Sequence, residues 1–246
     1  DGSIPPSMAD MGDPLIGLAR ASAVTEKIKL GTAISLVPEH NPLIQAKQIA
    51  TLDRLSNGRF IFGIGAGWLA EETEIMGGDF EHRWGQTREA ILAMKELWTK
   101  DEAEFHGRYY DFPLVKSSPK PVQKPHPPIW MAAQSRSAVR RAARLCEAVV
   151  IGPQPAWEDF RYLAKEYNDA LAEYGKTPQK MLAANRSITI AKDRETAITE
   201  AKAKGEAKAG MYAGFNMQET GTVDLGLAGQ REIPDWAVAG NPQDCA

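Results

Sequence analysis

The chain has 246 residues, 43% of them apolar and 25% charged, with a net charge of −3. That is enough chain for a sizeable core and close to the globular average, which excludes a disordered chain, a collagen and a coiled coil. The acidic balance argues against a dedicated nucleic-acid binder, and no run approaches the roughly 18 apolar residues of a membrane span. Cys146 and Cys245 are the only cysteines; they suggest neither a metal site nor a disulfide framework and point to a reducing, cytoplasmic setting. The chain opens at Asp1 without a signal-peptide pattern and stops shortly after a helix-start pattern at Asn241-Pro242, so both ends read as cut.

Residues 1–13 are rich in Gly, Pro and Ser and read as loop. Pro14 to Thr25 predicts a short amphipathic helix, with Leu15, Leu18, Ala19 and Ser22 on its inner face and Asp13 as N-cap. Lys27 to Leu36 reads as one strand, because its apolar run is nearly continuous. Pro38 to Pro42 is a loop. Leu43 to Leu55 follows as a helix with turns set by Ile44, Lys47, Gln48 and Leu52, and Ser56-Asn57-Gly58 stops it. Arg59 to Ile64 is the next strand and runs into Gly63, Gly65 and Gly67. Helices are expected from about Leu69 to Met76 and from Trp84 to Thr99, the second with Ile91, Met94 and Trp98 on one side.

Phe105 to Phe112 reads as a hairpin around His106-Gly107, and six prolines between Pro113 and Pro128 make an extended connection. Strands are expected at Ile129–Ala133, Ala148–Ile151 and Ala183–Ala191, with helices at Ser135–Leu145, Trp157–Tyr174 and Arg194 to about Lys208. A Gly-rich stretch through Gly229 leads to a last strand at Trp236–Ala239. Strand–helix alternation implies an α/β fold with a parallel sheet, open or closed into a barrel. The chain reads as a single domain, 1–246. Its long connection from Gly77 to Pro128 is an insertion that lacks its own core and is placed to cover a site.

Parallel α/β folds bind ligands at the carboxyl ends of their strands. At the first such end, Thr32 and Ser35 offer hydroxyls to a planar cofactor edge, or are ordinary strand residues. At the second, Gly65, Ala66 and Gly67 admit close approach of a ligand, or mark a tight turn. The spacing departs from the dinucleotide fingerprint, which counts against a doubly wound dinucleotide enzyme. At the third, Ala133, Gln134, Ser135 and Ser137 lead into a helix start. That is a natural phosphate seat, and Ser135 reads equally as a helix N-cap.

Arg136, Arg140 and Arg144, with Arg141 beside them, form a stripe that reads first as a solvated face, Arg136 being the best functional candidate among them. His82, His106 and His126 read as structural, while His40, between two prolines, is placed to face a pocket. Glu71, Glu72 and Glu74 crowd one helix start and read as solvated, with Glu71 or Glu72 within reach of a cofactor. Trp68, Trp84 and Trp130 read as core residues or pocket walls. No metal-ligand spacing and no nucleophile elbow is present.

An ordered series of blocks carries a resemblance. Ile28-Lys29-Leu30-Gly31-Thr32 precedes Asn41-Pro42 and Ala46-Lys47-Gln48. Leu52-Asp53-Arg54-Leu55-Ser56-Asn57-Gly58-Arg59 and Gly63-Ile64-Gly65-Ala66-Gly67-Trp68 follow. Phe105-His106-Gly107-Arg108-Tyr109-Tyr110, Pro119-Lys120-Pro121-Val122-Gln123 and Pro127-Pro128-Ile129-Trp130 complete the series. Densely over residues 13–152 and loosely beyond, the chain resembles the luciferase-like monooxygenases, and most of all their branch that uses the deazaflavin coenzyme F420.

The resemblance implies a (β/α)₈ TIM barrel, here incomplete: the first two strands and the last helix are expected to be missing, and with them a catalytic acid or base, so the catalytic residues stay unassigned. It implies F420, or alternatively FMN, at the strand ends, with no metal. Ser35 and Leu36 would supply a non-prolyl cis peptide behind the ring, Gly65, Ala66 and Gly67 would line it, and Ala133, Gln134, Ser135 and Ser137 would lie near the phosphate. The expected reaction is hydride transfer with F420, or oxygen activation with reduced FMN, on a small organic substrate, in a homodimer without nucleic-acid or membrane partners. The competing readings are a non-catalytic cofactor-binding relative and a phosphate-binding barrel lyase or isomerase. The latter wants a strand-end lysine or paired acids, for which the sequence has no good candidate.

Overall fold

The computed structural model describes residues 10–152, 157–179, 182–213, 237–243 and 245. Residues 1–9 and most of the Gly-rich stretch through Gly229 lie outside the described residues. The chain divides into two compact units, Asp1–Met131 with Leu145–Glu147, and Ala132–Arg144 with Ala148–Ala246.

In the first unit, helix α1 spans Pro14–Val24, and the Asp13 side chain accepts from Ile16 N at 2.9 Å. Its inner face is the expected one: Ser22 is buried and Leu15, Leu18 and Ala19 are half-buried. The strand expected over Lys27–Leu36 is instead two short strands, β1 (Leu30–Gly31) and β2 (Ser35–Leu36). Both pair in parallel with β3 (Phe60–Gly65): Gly31 stands beside Ile61 and Ser35 beside Ile64. Four steps along this segment therefore match three along β3, and the extra residue breaks the ladder as a bulge does. A non-prolyl cis peptide joins Ala33 to Ile34 in that break, two residues earlier than the expected Ser35-Leu36.

A 3-10 turn at Val37–Glu39 leads to helix α2 (Pro42–Leu55), whose N-cap Asn41 accepts from Leu43 N at 2.9 Å. Gln45, Ala46, Ile49, Ala50, Leu52 and Asp53 are buried, whereas Ile44, Lys47 and Gln48 are exposed. Two polar side chains sit inside this buried face, and each is hydrogen-bonded. Gln45 Nε2 donates to Ser35 Oγ at 3.1 Å. Asp53 Oδ2 accepts from Val122 N (2.7 Å) and Gln123 N (2.9 Å), and its Oδ1 accepts from Gln123 Nε2 (2.7 Å).

Helix α3 (Ala70–Ile75) and helix α4 (Arg83–Thr99) follow β3. Ile91, Met94, Leu97 and Trp98 of α4 are buried, and Trp98 Nε1 donates to Ala46 O at 2.9 Å. Much of the stretch from Gly77 to Pro128 thus belongs to the core of this unit. Strands β4 (Ala103–His106) and β5 (Asp111–Val115) form the expected antiparallel hairpin. Buried Glu89 holds its turn by accepting from the backbone N–H groups of Arg108 (3.1 Å), Tyr109 (2.7 Å) and Tyr110 (3.3 Å). Strand β6 (Ile129–Ala133) pairs in parallel with β3, Phe62 beside Ile129.

In the second unit the end of β6 leads into helix α5 (Arg136–Leu145). Strand β7 (Ala148–Ile151), helix α6 (Trp157–Glu173) and strand β8 (Ala183–Ala184) come next, with β7 and β8 parallel. Leu163, Tyr167, Ala170 and Leu171 form the buried face of α6. The strand expected over Ala183–Ala191 is interrupted at Asn185-Arg186 and resumes as β9 (Ser187–Ile190). The cause is a change of partner: β8 pairs with β7, whereas β9 pairs in parallel with β10 (Ala237–Gly240). Helix α7 (Arg194–Ala213) runs past the expected end near Lys208, and its Ala197 and Ala201 pack with Ala239 of β10. The architecture is the α/β arrangement of parallel strands that the sequence predicts.

Asp53→Ala removes three hydrogen bonds to a buried carboxylate and leaves the backbone N–H groups of Val122 and Gln123 without that acceptor, which should cost about 2–3 kcal/mol of stability, read from urea unfolding. By contrast, a methyl group on Gly17 in α1 would have nothing within 4 Å. Gly17→Ala should raise stability by about 0.5–1 kcal/mol in the same measurement.

Candidate functional site

In the first unit, the ends of β2 and β3 bring together the sequence-predicted residues Thr32, Ser35, Leu36, Gly65, Ala66 and Gly67. Thr32 and Ser35 are buried, and Thr32 Oγ1 donates to Gly63 O at 2.6 Å. Ser35 Oγ is held by Gln45, so each hydroxyl has a partner within the chain. A methyl group on Gly63 would lie 1.9 Å from Thr32 O, and one on Gly65 would lie 2.1 Å from Ile34 Cδ1. The space beside these glycines is therefore filled by the Thr32–Ile34 segment itself. That segment leaves Ala33 exposed, with Ile34 36% exposed, at the strand end, an apolar step suited to one face of a flat ring.

Gly67 has φ +86° and brings the backbone toward Thr73 and Glu39: a methyl group there would lie 2.9 Å from Thr73 Oγ1 and 3.5 Å from Glu39 Oε1. Thr73 Oγ1 donates to Glu39 Oε1 at 3.4 Å. Burial, reinforced by the charge of Glu72, raises the Glu39 carboxyl from its ordinary 4.5 to about 7, against the Thr73 hydrogen bond, which lowers it. Sequence reading missed Glu39, although it adjoins His40, which had been singled out. His40 is half-buried, and its Nδ1 is shielded from solvent without a hydrogen-bond partner. Trp68, Trp84 and Trp130 are half-buried, and Glu71, Glu72 and Glu74 are exposed.

In the second unit, Ala133, Gln134, Ser135 and Ser137 lie together where β6 passes into α5. Ser135 is the helix N-cap: its O accepts from Val139 N at 3.0 Å and its Oγ from Ala138 N at 3.4 Å. Its Oγ also lies 3.2 Å from Ser137 Oγ. Gln134, Ser135 and Ser137 are exposed. Two hydroxyls and the first N–H groups of a helix are a donor set that fits a phosphate, so capping and phosphate seating are compatible here. Arg136 is drawn away from this role, its Nε pairing with Glu166 at 3.0 Å, and Arg140 pairs with Glu166 and Glu173.

Gly152, at the end of β7, donates from its N to Ala133 O at 3.4 Å, and a methyl group on it would lie 2.3 Å from Gln134 Nε2. Arg186 Nη1 donates to Gly152 O at 3.0 Å. Reading residues 183–191 as one strand hid Arg186 in mid-strand, whereas the break after β8 puts it at a strand end.

The remaining histidines are engaged locally. His82 Nδ1 contacts Asp79 and His106 Nδ1 contacts Asp111, each at 2.7 Å, while His126 Nδ1 donates to Pro127 O at 2.8 Å. Among the described residues no group of His, Cys, Asp and Glu could hold a metal ion, and no helix is long and apolar enough to cross a membrane.

Comparison with known proteins places this geometry. The luciferase-like monooxygenase family model matches residues 2–240. An uncharacterised protein of Mycobacterium tuberculosis is 45% identical over 121 residues, 49% of this chain and 43% of that protein. An FMNH(2)-dependent dimethylsulfone monooxygenase of Pseudomonas putida is 37% identical over 51% of this chain and 35% of its own length. An F420-dependent glucose-6-phosphate dehydrogenase of Amycolatopsis mediterranei is 34% identical over 49% of this chain and 37% of its own. The chain thus spans less than half the length of each of these relatives.

Two solved structures share the fold. Monooxygenase RslO1 from Streptomyces bottropensis has a TM-score of 0.76 at 26% identity, covering 95% of this chain and 69% of that one. The oxygenating constituent of 3,6-diketocamphane monooxygenase from Pseudomonas putida, in complex with FMN, has a TM-score of 0.80 at 19% identity, covering 99% and 74%. With the family model matched over nearly its whole length, this chain is a member of the luciferase-like monooxygenase family and has the α/β TIM-barrel fold of that family, in part.

Proposed function

We propose that the protein is a flavin- or deazaflavin-dependent oxidoreductase acting on a small organic molecule, with coenzyme F420 as its cofactor and FMN as the alternative. The observation that carries this reading is the strand-end step of the first unit, where Ala33 and Ile34 present an exposed apolar surface beside the Gly63–Gly67 turn in a chain of this family. The cofactor ring supplies the hydride chemistry. The first unit's own contribution is to offer the Ala33–Ile34 step to a flat ring; taken by itself, the second unit offers the hydroxyls of Ser135 and Ser137 to a phosphate. Glu39, at the end of β2, holds a proton near neutrality. Glu72 faces it from α3 together with the Thr73 hydroxyl, and His40 adjoins it in the chain.

Titration with F420 and, separately, FMN, followed by cofactor fluorescence, tests the reading. Saturable binding of one of them is expected, and binding of neither by the folded protein would move the phosphate-binding barrel to the front. Ser135→Ala with Ser137→Ala should weaken the bound cofactor roughly tenfold through two lost hydrogen bonds.

Because the folded-state value of Glu39 lies above its ordinary 4.5, the folded protein binds the extra proton. The Glu39 contribution to stability should be fully present below pH 4.5 and be lost as pH rises through about 7. Glu39→Gln should flatten that decline in urea unfolding at a series of pH values. It should also remove a limb near pH 7 from the kcat/KM profile of the cofactor-loaded enzyme.

A further inference from the structure

Helix α3 is thinly attached to the first unit. It has 6 residues, Ala70–Ile75, and no side-chain cap at Leu69. A helix this short is not stable alone in water and depends on tertiary contacts. Yet Thr73 is its only buried residue: Ala70 is half-buried, and Glu71, Glu72, Glu74 and Ile75 are exposed. The helix holds no cation to pair with its three carboxylates, and Glu74 stands near the end where the dipole disfavours it. Glycines with φ +86° flank it, Gly67 before and Gly77 after, left-handed positions at which the chain turns without a side chain. Segments with so little burial open locally, at a fraction of the global unfolding free energy.

Thr73 is anchored on two sides. Its Oγ1 donates to Glu39 Oε1 at 3.4 Å. Its Cγ2 faces Gly78, where a methyl group would lie 2.7 Å from it. Gly67 leaves room on the hydroxyl side, since a methyl group there would lie 2.9 Å from Oγ1. Val37 and Pro38, which precede Glu39, are buried, so α3 is the partner of this contact that is free to leave.

Opening α3 withdraws Glu72 and Thr73 from the Glu39 carboxyl and admits water to it. With α3 in place, burial and then the charge of Glu72 raise that carboxyl from 4.5 to about 7, against the Thr73 bond. Glu72 is the charged group that acts on it from α3, and His40 follows it in the chain. The rest of its surroundings, Ser35 to Pro38 and the Gly65–Gly67 turn, carry no titratable side chain. The closed arrangement therefore takes up a proton that the opened, solvated carboxyl gives up, so protonation favours closure and ionisation favours opening.

We propose that α3 is a strap that opens and closes over the end of β2, and that Thr73 is the positioning residue through which the closed strap fixes the Glu39 carboxyl. Through Gly67 the strap adjoins the turn beside the Ala33–Ile34 step, so it couples ligand entry at that step to proton uptake at Glu39. That coupling rests on the functional reading above; the strap and its latch do not.

Amide hydrogen exchange of the full chain without ligand, divided by the intrinsic rate at each pH, tests the proposal. The reporters are the N–H groups of Thr73, Met76 and Gly78, which donate to Leu69 O, Glu72 O and Thr73 O at 3.2, 3.1 and 2.8 Å. Buried Met94 and Leu97 of α4 are the reference. The strap reporters should open at least about a hundredfold more readily than the reference. Their opening should rise by up to about tenfold per pH unit between 4.5 and about 7 and level off above. Glu39→Gln, which cannot ionise, should show no such rise. Thr73→Val keeps the methyl group on Gly78 and loses the hydroxyl, and should open roughly tenfold more readily than wild type. Thr73→Ser keeps the hydroxyl and should lie closer to wild type, whereas a purely structural Thr73 gives the reverse order.

Strap reporters that exchange only with the reference overturn the strap. Opening in the wild type that ignores pH, or a pH dependence that survives in Glu39→Gln, overturns the Glu39 latch, and serine opening more readily than valine overturns the role of Thr73. If Glu39→Gln does not fold, the wild-type pH profile and the order of the two Thr73 variants decide. Added F420 or FMN that binds should slow the strap reporters, and binding without slowing overturns the coupling to ligand entry. A chain that binds neither cofactor yet keeps the pH-linked opening leaves the strap standing and sinks the cofactor reading.

Discussion

The first unit depends on one buried carboxylate. Asp53 is fully inaccessible and accepts three hydrogen bonds from Val122 and Gln123. Gln123 Nε2 also donates to Phe60 O at 2.8 Å. These contacts join residues about 70 positions apart, across the entire excursion from β3 through α4, the hairpin and the prolines. Closing so long a loop costs entropy that must be met by contacts at its base. With the return path tied to α2 and to the start of β3, Pro128 O accepts from Phe62 N at 2.9 Å and β6 enters in register. Glu147 repeats the device at the next strand start: its Oε2 accepts from Ile129 N at 2.9 Å while Oε1 pairs with Lys95.

Arg59 does the same for the other side of β3. It donates to Ser22 O, Thr25 O, Thr25 Oγ1, Ile28 O and Ser56 O at 2.7–3.2 Å. The carbonyls at the end of α1 and the turn after α2 are thereby satisfied by one cation, where the helix dipole also favours it. The block from Leu52 to Arg59, the most specific mark of the family in this sequence, therefore consists of residues that build the barrel floor. Arg59 adjoins the start of β3, and Asp53, in the last turn of α2, is tied to that start through Gln123, on the side of a parallel sheet devoted to stability rather than to chemistry. A motif of this kind identifies the fold firmly and leaves substrate choice to other residues.

That division explains what could be read in advance. The helices with clean apolar stripes, α1 and α4, were legible, as were the hairpin, the Asn57-Gly58 stop and the exact extent of β6 and β7. The buried face of α2 was not, because Gln45 and Asp53 are polar residues buried with partners outside the helix. The two broken strands were not legible either. Composition supports one long strand at Lys27–Leu36 and another at Ala183–Ala191. The breaks come from register with β3 in the first case and from a change of partner in the second, and both are non-local. The residues named for the candidate site lie at strand ends or, for Ser137, in the first turn of the helix that follows. The local packing was not legible: Gly63 and Gly65 make room for Thr32 and Ile34 rather than standing open, and the raised Glu39 carboxyl gave no pattern to read.

The two strand-end regions differ in chemistry. The one in the first unit pairs an apolar step with a carboxyl that holds its proton to about 7, while the one in the second offers hydroxyls, helix N–H groups and a cation. Two arginines of this chain show why the cation is the telling member. Arg59 spends all three nitrogens on backbone and side-chain oxygens supplied by the fold, and needs nothing more. Arg186 is also shielded, and burial pulls its guanidinium below the ordinary arginine value, yet the fold supplies oxygens to Nη1 alone. The same chain that saturates one guanidinium leaves the other half-used, at a strand end, over the rings of Trp157 and Phe160. Structural need accounts for Arg59 completely, whereas Nε and Nη2 of Arg186 are shielded from solvent without a hydrogen-bond partner.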